Sequence, residues 1–358
     1  MKIIHIGVYD RNIGDNIAIR NLQRSLSMYI PDVHVRGLDL QTIWETNNSP
    51  NYMRALYNDF VRKGIDAIVI GGGGLLEFGG YEHFHSGWKL PFWNQTLSFI
   101  KIPILFYGVG VNIFRGGIEY SPKAKKALQS TINQSKAFGI RNDGSYDKLK
   151  NWIGLDVSKV DIVPDPGLLH LDRFNIERKE TVSVLGFQPA INKSRGINNN
   201  RFANEFNLEI IKDYFKADIS LPHTISDFTF GHPVIPKHEF INKYRVFENL
   251  DKFLGKYKLV DYVIAMRGHG QMISIGLNIP GIYLSTQDKV RDFSVNNGFE
   301  NYDVDIREPN WFETLKLKRK LLTEKDSTYL KEWYEIRDKF IADCHTVDKN
   351  WIEKNFKL

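Results

Sequence analysis

The stretch 261–293, DYVIAMRGHGQMISIGLNIPGIYLSTQDKVRDF, decides the fold of this chain. Residues 262–266 are a short apolar run that ends at Arg267, and an amphipathic segment over 271–277 follows. That pattern predicts a buried strand feeding a helix, with Arg267 and His269 in the turn between them. Pro280 breaks the helix, residues 281–284 form a second apolar run, and a loop carries Lys289 and Arg291. Strand, helix and strand in this order build parallel α/β sheets. Ligands of such open sheets bind at the carboxyl ends of strands, where this unit puts its cations and its imidazole.

Working outward, 358 residues with 42% hydrophobic content exceed what one core usually serves, so two domains are expected. We place them at 1–175 and 176–310, with a C-terminal helical segment at 311–358 packing across both. The apolar run in MKIIHIGVYD is too short for a signal segment, and no stretch of about 18 apolar residues occurs, so a cytoplasmic location is expected. The single cysteine, Cys344, excludes an internal disulfide and a cysteine-built zinc site. A net charge of +6, from 48 basic and 42 acidic side chains, favours anionic small ligands or membrane headgroups slightly over neutral partners. No nucleic-acid-binding module pattern accompanies that charge.

Upstream, residues 2–8 read as a strand and 33–37 as a second, with 38–40 its exit. Between them Gly14 ends a turn, Asp15 or Asn16 can cap, and Ile17, Ile19, Leu22 and Leu26 supply a helical face. That helix start is an anion site in principle, although Asp15 serves equally as a cap. The run 66–70 is a buried strand, and Gly71, Gly72, Gly73 and Gly74 follow it. No Walker or Rossmann spacing accompanies them; we favour a ligand-facing role for these glycines over a tight strand-to-helix turn. Next, Tyr81, His83, His85, Trp88 and Trp93 share one loop-like stretch whose rings and polar groups suit a sugar, with core packing the alternative. No third ligand in a recognised pattern joins the histidines, so no metal is expected there. Residues 104–109 and 137–140 are further strands separated by a basic helix over 122–135, and Arg141 ends the second strand before Asp143 and Ser145. Its guanidinium either faces the ligand or pairs with Asp143 to hold the turn. A strand over 160–163 and the break PDPGLLH, containing Asp165, close this half, and the polar segment 172–180 is the natural boundary.

The second half repeats the style, with strands at 181–187 and 218–222, His223 and Asp227 after the latter, and helices over 207–216 and 248–259. Residues 192–201 read as a loop and 327–356 as a long helix. Lys316, Lys318, Arg319 and Lys320 alternate with leucines, which describes a solvated helix face or a basic patch for peripheral contact with the inner face of a membrane.

The strings GDNIAIRNL, IGGGGLL, GVGVN, RNDGS, PDPGLLH and RGHGQMISIGLNIPGIYLSTQDK resemble, in order and spacing, the polysaccharide pyruvyl transferase family over residues 1–293. The resemblance implies an α/β fold of two Rossmann-like domains of the GT-B type facing a cleft, the first on the acceptor side and the second on the donor side. It implies transfer of the pyruvyl group of phosphoenolpyruvate to sugar hydroxyls as a ketal, with release of phosphate and without a cofactor. It also implies that Arg141 and Arg267 bind phosphoenolpyruvate and that His269 is the acid. Gly268 departs from the family, in which a larger apolar residue is common at that position.

The chemistry asks for the same residue types. Phosphoenolpyruvate carries a carboxylate and a phosphate, and each charge-assisted bond from an arginine contributes about 1.5–3 kcal/mol. The two arginines and Lys289 answer both ends. Ketal formation needs a proton delivered to the enol methylene, which suits an imidazole near neutrality, and a carboxylate to deprotonate the hydroxyl, for which Asp15 and Asp165 are candidates. The acceptor is a glycan or its lipid-linked or nucleotide-linked precursor. Two other functions fit the architecture: a nucleotide-sugar glycosyltransferase, whose cations would face a diphosphate, and a non-catalytic glycan-binding protein. Retention of Arg141, Arg267, His269 and Lys289 together argues against the latter.

Overall fold

A computed structural model of the chain describes residues 1–9, 12–40, 42–43, 50–77, 86–89, 99–112, 120–190, 205–216, 218–224, 227–228, 231–235, 237 and 249–356. The chain divides into two compact units: Met1–Tyr9, Ala18–Pro166 and Cys344–Leu358 form the first, Asp10–Ile17 and Gly167–Asp343 the second.

The first unit is built on six parallel strands, β1 (Lys2–Gly7), β2 (His34–Asp39), β3 (Ala67–Glu77), β4 (Ile104–Asn112), β5 (Ala137–Arg141) and β6 (Val160–Val163), in the order β2-β1-β3-β4-β5-β6. The inner strands are buried along nearly their whole length, which is why they read as continuous apolar runs without alternation. Its helices include α1 (Ile13–Tyr29) from Ala18 onward, the first turn belonging to the second unit, α2 (Pro50–Arg62) and α3 (Pro122–Gln134). In α3, Ser121 caps the amide of Ala124 at 3.2 Å, and Ala124, Leu128 and Ile132 are buried in the core.

The glycine run is neither the tight strand-to-helix turn nor a loop open to a ligand. Strand β3 continues through it to Glu77, with a register shift between Gly73 and Leu76. A Cβ at Gly71 would lie 2.0 Å from the Tyr107 carbonyl oxygen, and one at Gly72, where φ is +77°, would lie 3.1 Å from Ile19 Cγ1. A Cβ at Gly74 would likewise lie 2.0 Å from Asn112 Nδ2. Close packing of β3 against β4 and α1 therefore accounts for Gly71, Gly72 and Gly74 without a ligand.

The second unit carries β7 (Leu185–Gln188), β8 (Ile219–Ser220), β9 (His232–Pro233), β10 (Tyr262–Ala265), β11 (Gly281–Ser285) and β12 (Asp303–Asp305), again all parallel, in the order β12-β11-β10-β7-β8-β9. Its helices are α4 (Glu205–Tyr214), α5 (Leu250–Lys256), α6 (Gly268–Gly276), α7 (Asp288–Asn296), α8 (Trp311–Thr323) and the start of α9 (Thr328–Phe356). The organising stretch is β10, α6 and β11, as read, but the segment with Lys289 and Arg291 is the helix α7 and not a loop. Its Val290, Phe293 and Ser294 are buried, an i, i+3, i+4 face that the surrounding charges mask in the sequence.

Helix α8 turns two of its four cations inward. Lys318 donates to the carbonyls of Asn301 and Asp303 at 2.5 and 2.8 Å, and Arg319 donates to the Tyr262 hydroxyl at 2.8 Å. Leu315 and Leu322 are buried, so the apolar face of this helix is spent on the unit's own core. No helix among the described residues is long and apolar enough to cross a membrane.

In α9, Trp351, Ile352 and Phe356 join Ile3, Leu22, Leu26 and Tyr107 in the core of the first unit. Asp348, fully buried beside them, accepts from Ser25 Oγ at 2.7 Å and from the Tyr107 hydroxyl at 2.5 Å. Burial raises its carboxyl to about 6 despite those two donors. Trp333 and Phe340, earlier in the helix, pack on Phe299 in the second unit.

Candidate active site

The turn from β10 into α6 is held by a side chain from the neighbouring strand. Gln188, the last residue of β7, accepts the Met266 amide on its carbonyl and the Arg267 amide on its Oε1, both at 2.9 Å. Gly270 is needed for this contact, because a Cβ there would sit 2.4 Å from Gln188 Oε1. Arg267 is the extended N-cap of α6 and has no capping hydrogen bond from its side chain. Gly268 makes no such demand: a Cβ at that position would meet nothing within 4 Å. The larger residue expected from the family resemblance therefore has room here.

His269 lies in the first turn of α6 against the first turn of α1. Its Nδ1 is 3.7 Å from Asp15 Oδ1, ion-pair reach without a direct hydrogen bond, with the two side chains 11% and 23% exposed. The approach is close because position 14 has no side chain. A Cβ on Gly14 would lie 2.2 Å from His269 Cβ and 2.5 Å from Nδ1. Asn12 Oδ1 accepts the Gly14 amide at 2.9 Å, and the Ile13 amide donates to the His223 carbonyl at 3.1 Å, so the start of α1 is fixed on both sides. The sequence offers Asp15 as a cap; the structure makes Asn12 the capping side chain and sets Asp15 opposite the imidazole.

Arg267 is 18% exposed and pairs with Asp227, which sequence reading placed after a strand without giving it a role. Beneath this pair His223 is fully buried, its Nε2 2.9 Å from the Tyr257 hydroxyl. Burial, then the nearby charges of Arg267 and His269, hold its imidazole well below the usual histidine range, so it stays neutral. Lys289 is half-buried in the first turn of α7, at the carboxyl end of β11, the strand next to β10.

Arg141 and Asp165 meet in the first unit, together with Asp143. Arg141 is 3% exposed and donates from Nε to Asp143 at 2.5 Å and from Nη1 to Asp165 at 3.2 Å. The guanidinium lies against the backbone of Gly110, where a Cβ would be 2.2 Å from Nε. Ser145 completes the cluster, donating its hydroxyl to Asp143 and accepting the Val111 amide at 2.8 Å. Of the two readings of Arg141, this geometry is that of a cation holding its turn. Trp88 is a core residue and not a sugar platform: it is buried, and its ring packs edge-on against Phe106 with centroids 5.3 Å apart. His83 and His85 lie outside the described residues. Among the described residues no group of three or more His, Cys, Asp or Glu side chains is placed to hold a metal ion.

The fold has relatives among solved structures. A glycosyltransferase from Rickettsia africae superposes with a TM-score of 0.55 at 10% identity, covering 99% of this chain and 98% of that one. The UDP-GlcNAc 2-epimerase of Neisseria meningitidis, bound to UDP-GlcNAc, gives 0.52 at 12% identity over 100% of both chains. The S. aureus MnaA structure with UDP gives 0.51 at 12% identity over 99% of this chain and 96% of that one. At such identities these likenesses establish a GT-B-like α/β fold and nothing of the chemistry. No curated protein matches the sequence. The family model for polysaccharide pyruvyl transferases matches residues 12–288, a span that includes Asp15, Asp227, Arg267 and His269, and the chain belongs to that family of transferases.

Proposed function

We propose that this protein transfers the pyruvyl group of phosphoenolpyruvate to a pair of hydroxyls on a glycan or glycan precursor, forming a ketal and releasing phosphate. The observation that carries this reading is the His269–Asp15 pair beside Arg267, at the carboxyl end of β10. Nδ1 is turned toward Asp15, which steadies the imidazole as the acid. His269 gives its proton to the methylene carbon of the enol, leaving positive charge on the carbon that bears the phosphate and the carboxylate. One sugar hydroxyl attacks that carbon, and its proton passes to Asp15. The second hydroxyl then displaces the phosphate, which leaves with that hydroxyl's proton. Asp165 is fully buried and accepts from Arg141, so the role of base falls to Asp15. Arg267 and Lys289 bind the donor's anionic groups, and a site built on these cations takes phosphoenolpyruvate without a divalent metal.

The test is phosphate release from phosphoenolpyruvate across a panel of free, lipid-linked and nucleotide-linked sugars, beside nucleotide-sugar donors offered alone. Release that needs both phosphoenolpyruvate and an acceptor, and that persists in chelator, is expected. Turnover of a nucleotide sugar in the absence of phosphoenolpyruvate would instead make the protein a glycosyltransferase.

A further inference from the structure

His223, Thr224 and Asp227 hold three parts of the site at once. Asp227 is fully buried. Its Oδ2 accepts the amides of His223 and Thr224, both at 3.0 Å, and Arg267 Nε at 3.1 Å. Its Oδ1 accepts Arg267 Nη2 at 2.6 Å. Nη2 also donates to Thr224 Oγ1 at 3.1 Å, and Nε reaches the Pro189 carbonyl at 3.2 Å. The Nε and Nη2 edge, the fork with which an arginine grips a carboxylate or phosphate, is thus taken by the protein itself. Nη1 makes no hydrogen bond among the described residues. The same turn, through the His223 carbonyl, anchors the Ile13 amide two residues before Asp15.

We propose that Asp227 is a positioning residue of the donor site: it turns Arg267 so that Nη1 alone is offered to the anion, and it offsets much of the guanidinium charge there. The inference rests on the reading of phosphoenolpyruvate as donor. Its physical content is a trade between binding and orientation. A guanidinium already paired with a carboxylate attracts an anion less than a bare one, but it has one orientation and no reorganisation to make when charge moves. Thr224 contributes to that orientation through Nη2 alone.

Asp227→Asn separates the two effects, because its amide oxygen can still accept the backbone amides of His223 and Thr224 while its NH₂ group takes the place of Oδ1 and faces Nη2 of Arg267. Phosphoenolpyruvate is expected to bind this variant about 3- to 10-fold more tightly, since the guanidinium regains its full charge. Turnover is expected to fall by about 10²-fold, since the group is no longer aimed. Asp227→Glu should recover part of the turnover, and Thr224→Val should lower it by a smaller factor while leaving the backbone of the turn intact. A carboxylate that merely holds the fold gives the opposite pattern, weaker binding in parallel with a lower Tm and no rescue by glutamate, and that pattern overturns the inference. The clamp is also read without substrate, from the ¹⁵N-resolved Nη2–H signals of Arg267, whose acceptor Oδ1 is the atom that the substitution replaces. A protected signal in wild type and a fast-exchanging one in Asp227→Asn are expected, and identical signals in the two proteins overturn the clamp. Failure of the wild type to bind phosphoenolpyruvate would sink the donor assignment, whereas this spectrum and titration with inorganic phosphate would still judge Asp227.

Discussion

Gly14→Ala tests whether the site is built by the approach of two helix starts. The added Cβ would lie 2.2 Å from His269 Cβ, 2.4 Å from Cγ and 2.5 Å from Nδ1. Ordinary carbon contacts begin near 3.4 Å, so α1 and α6 must separate locally by about 1 Å. The nearest atom is a Cβ, tied to the backbone, and a rotamer change cannot relieve the contact. Overpacking of this kind costs about 1–3 kcal/mol, offset in part by the roughly 1 kcal/mol gained when alanine replaces glycine in a helix. The protein should therefore fold with a slightly lower Tm. Activity should suffer more, because a 1 Å displacement of a reacting group lowers turnover by about 10²-fold. The assay is phosphate release, with melting curves on the same samples. His269→Gly gives the control: it removes the three atoms nearest the new methyl group, so Gly14→Ala should add little to the loss in that background. A folded Gly14→Ala protein with wild-type turnover would refute the geometry claimed for His269.

Three further outcomes are expected. His269→Ala should keep most of its phosphoenolpyruvate affinity in binding titrations while turnover falls by about 10²–10⁴-fold in single-turnover measurements, the range for a positioned general acid. Arg141→Ala should act through stability, costing about 3–5 kcal/mol in denaturant titrations because Asp143 and Asp165 are left buried without their cation. Asp348 has its carboxyl raised to about 6 from 3.8, so the stability it confers is full below the unfolded value and is lost as pH rises through the folded one. Asp348→Asn should remove a loss of about 3 kcal/mol between pH 4 and 7, and parallel denaturation profiles for the two proteins would refute this.

The parallel α/β architecture was legible because its central strands are buried on both faces and so appear as unbroken apolar runs. Strands β9 and β12, of two and three residues, are too short to carry any period. Helix α2 was also missed: the polar run 45–51 reads as a surface loop, yet Pro50 opens the helix and Met53 and Phe60 bury one face of it. The glycine run shows the limit of local rules. Four glycines are compatible with a turn, a phosphate cradle or a strand packed hard against its neighbours, and only the Tyr107 carbonyl and Ile19, far along the chain, select the last.

For the site, the sequence supplied residue types and strand ends but not the partners that claim each charge. Arg141 and Arg267 look equivalent as letters, each close to the end of an apolar run with small or polar residues after it. They differ in what lies across from them. Arg141 faces two carboxylates and is sealed by the backbone of Gly110, so an incoming anion would have to displace buried aspartates. Arg267 faces one carboxylate, keeps 18% of its side chain exposed, and holds Nη1 out of the protein's own hydrogen bonds among the described residues. Both aspartates of the first cluster are within reach of local reading, at 143 and 165, whereas Asp227 is 40 residues from Arg267 and meets it only because β8 and β10 flank β7 in one sheet. The difference between a cation sealed in its turn and one that stays partly exposed is therefore set by strand order, and strand order is what a single sequence expresses least.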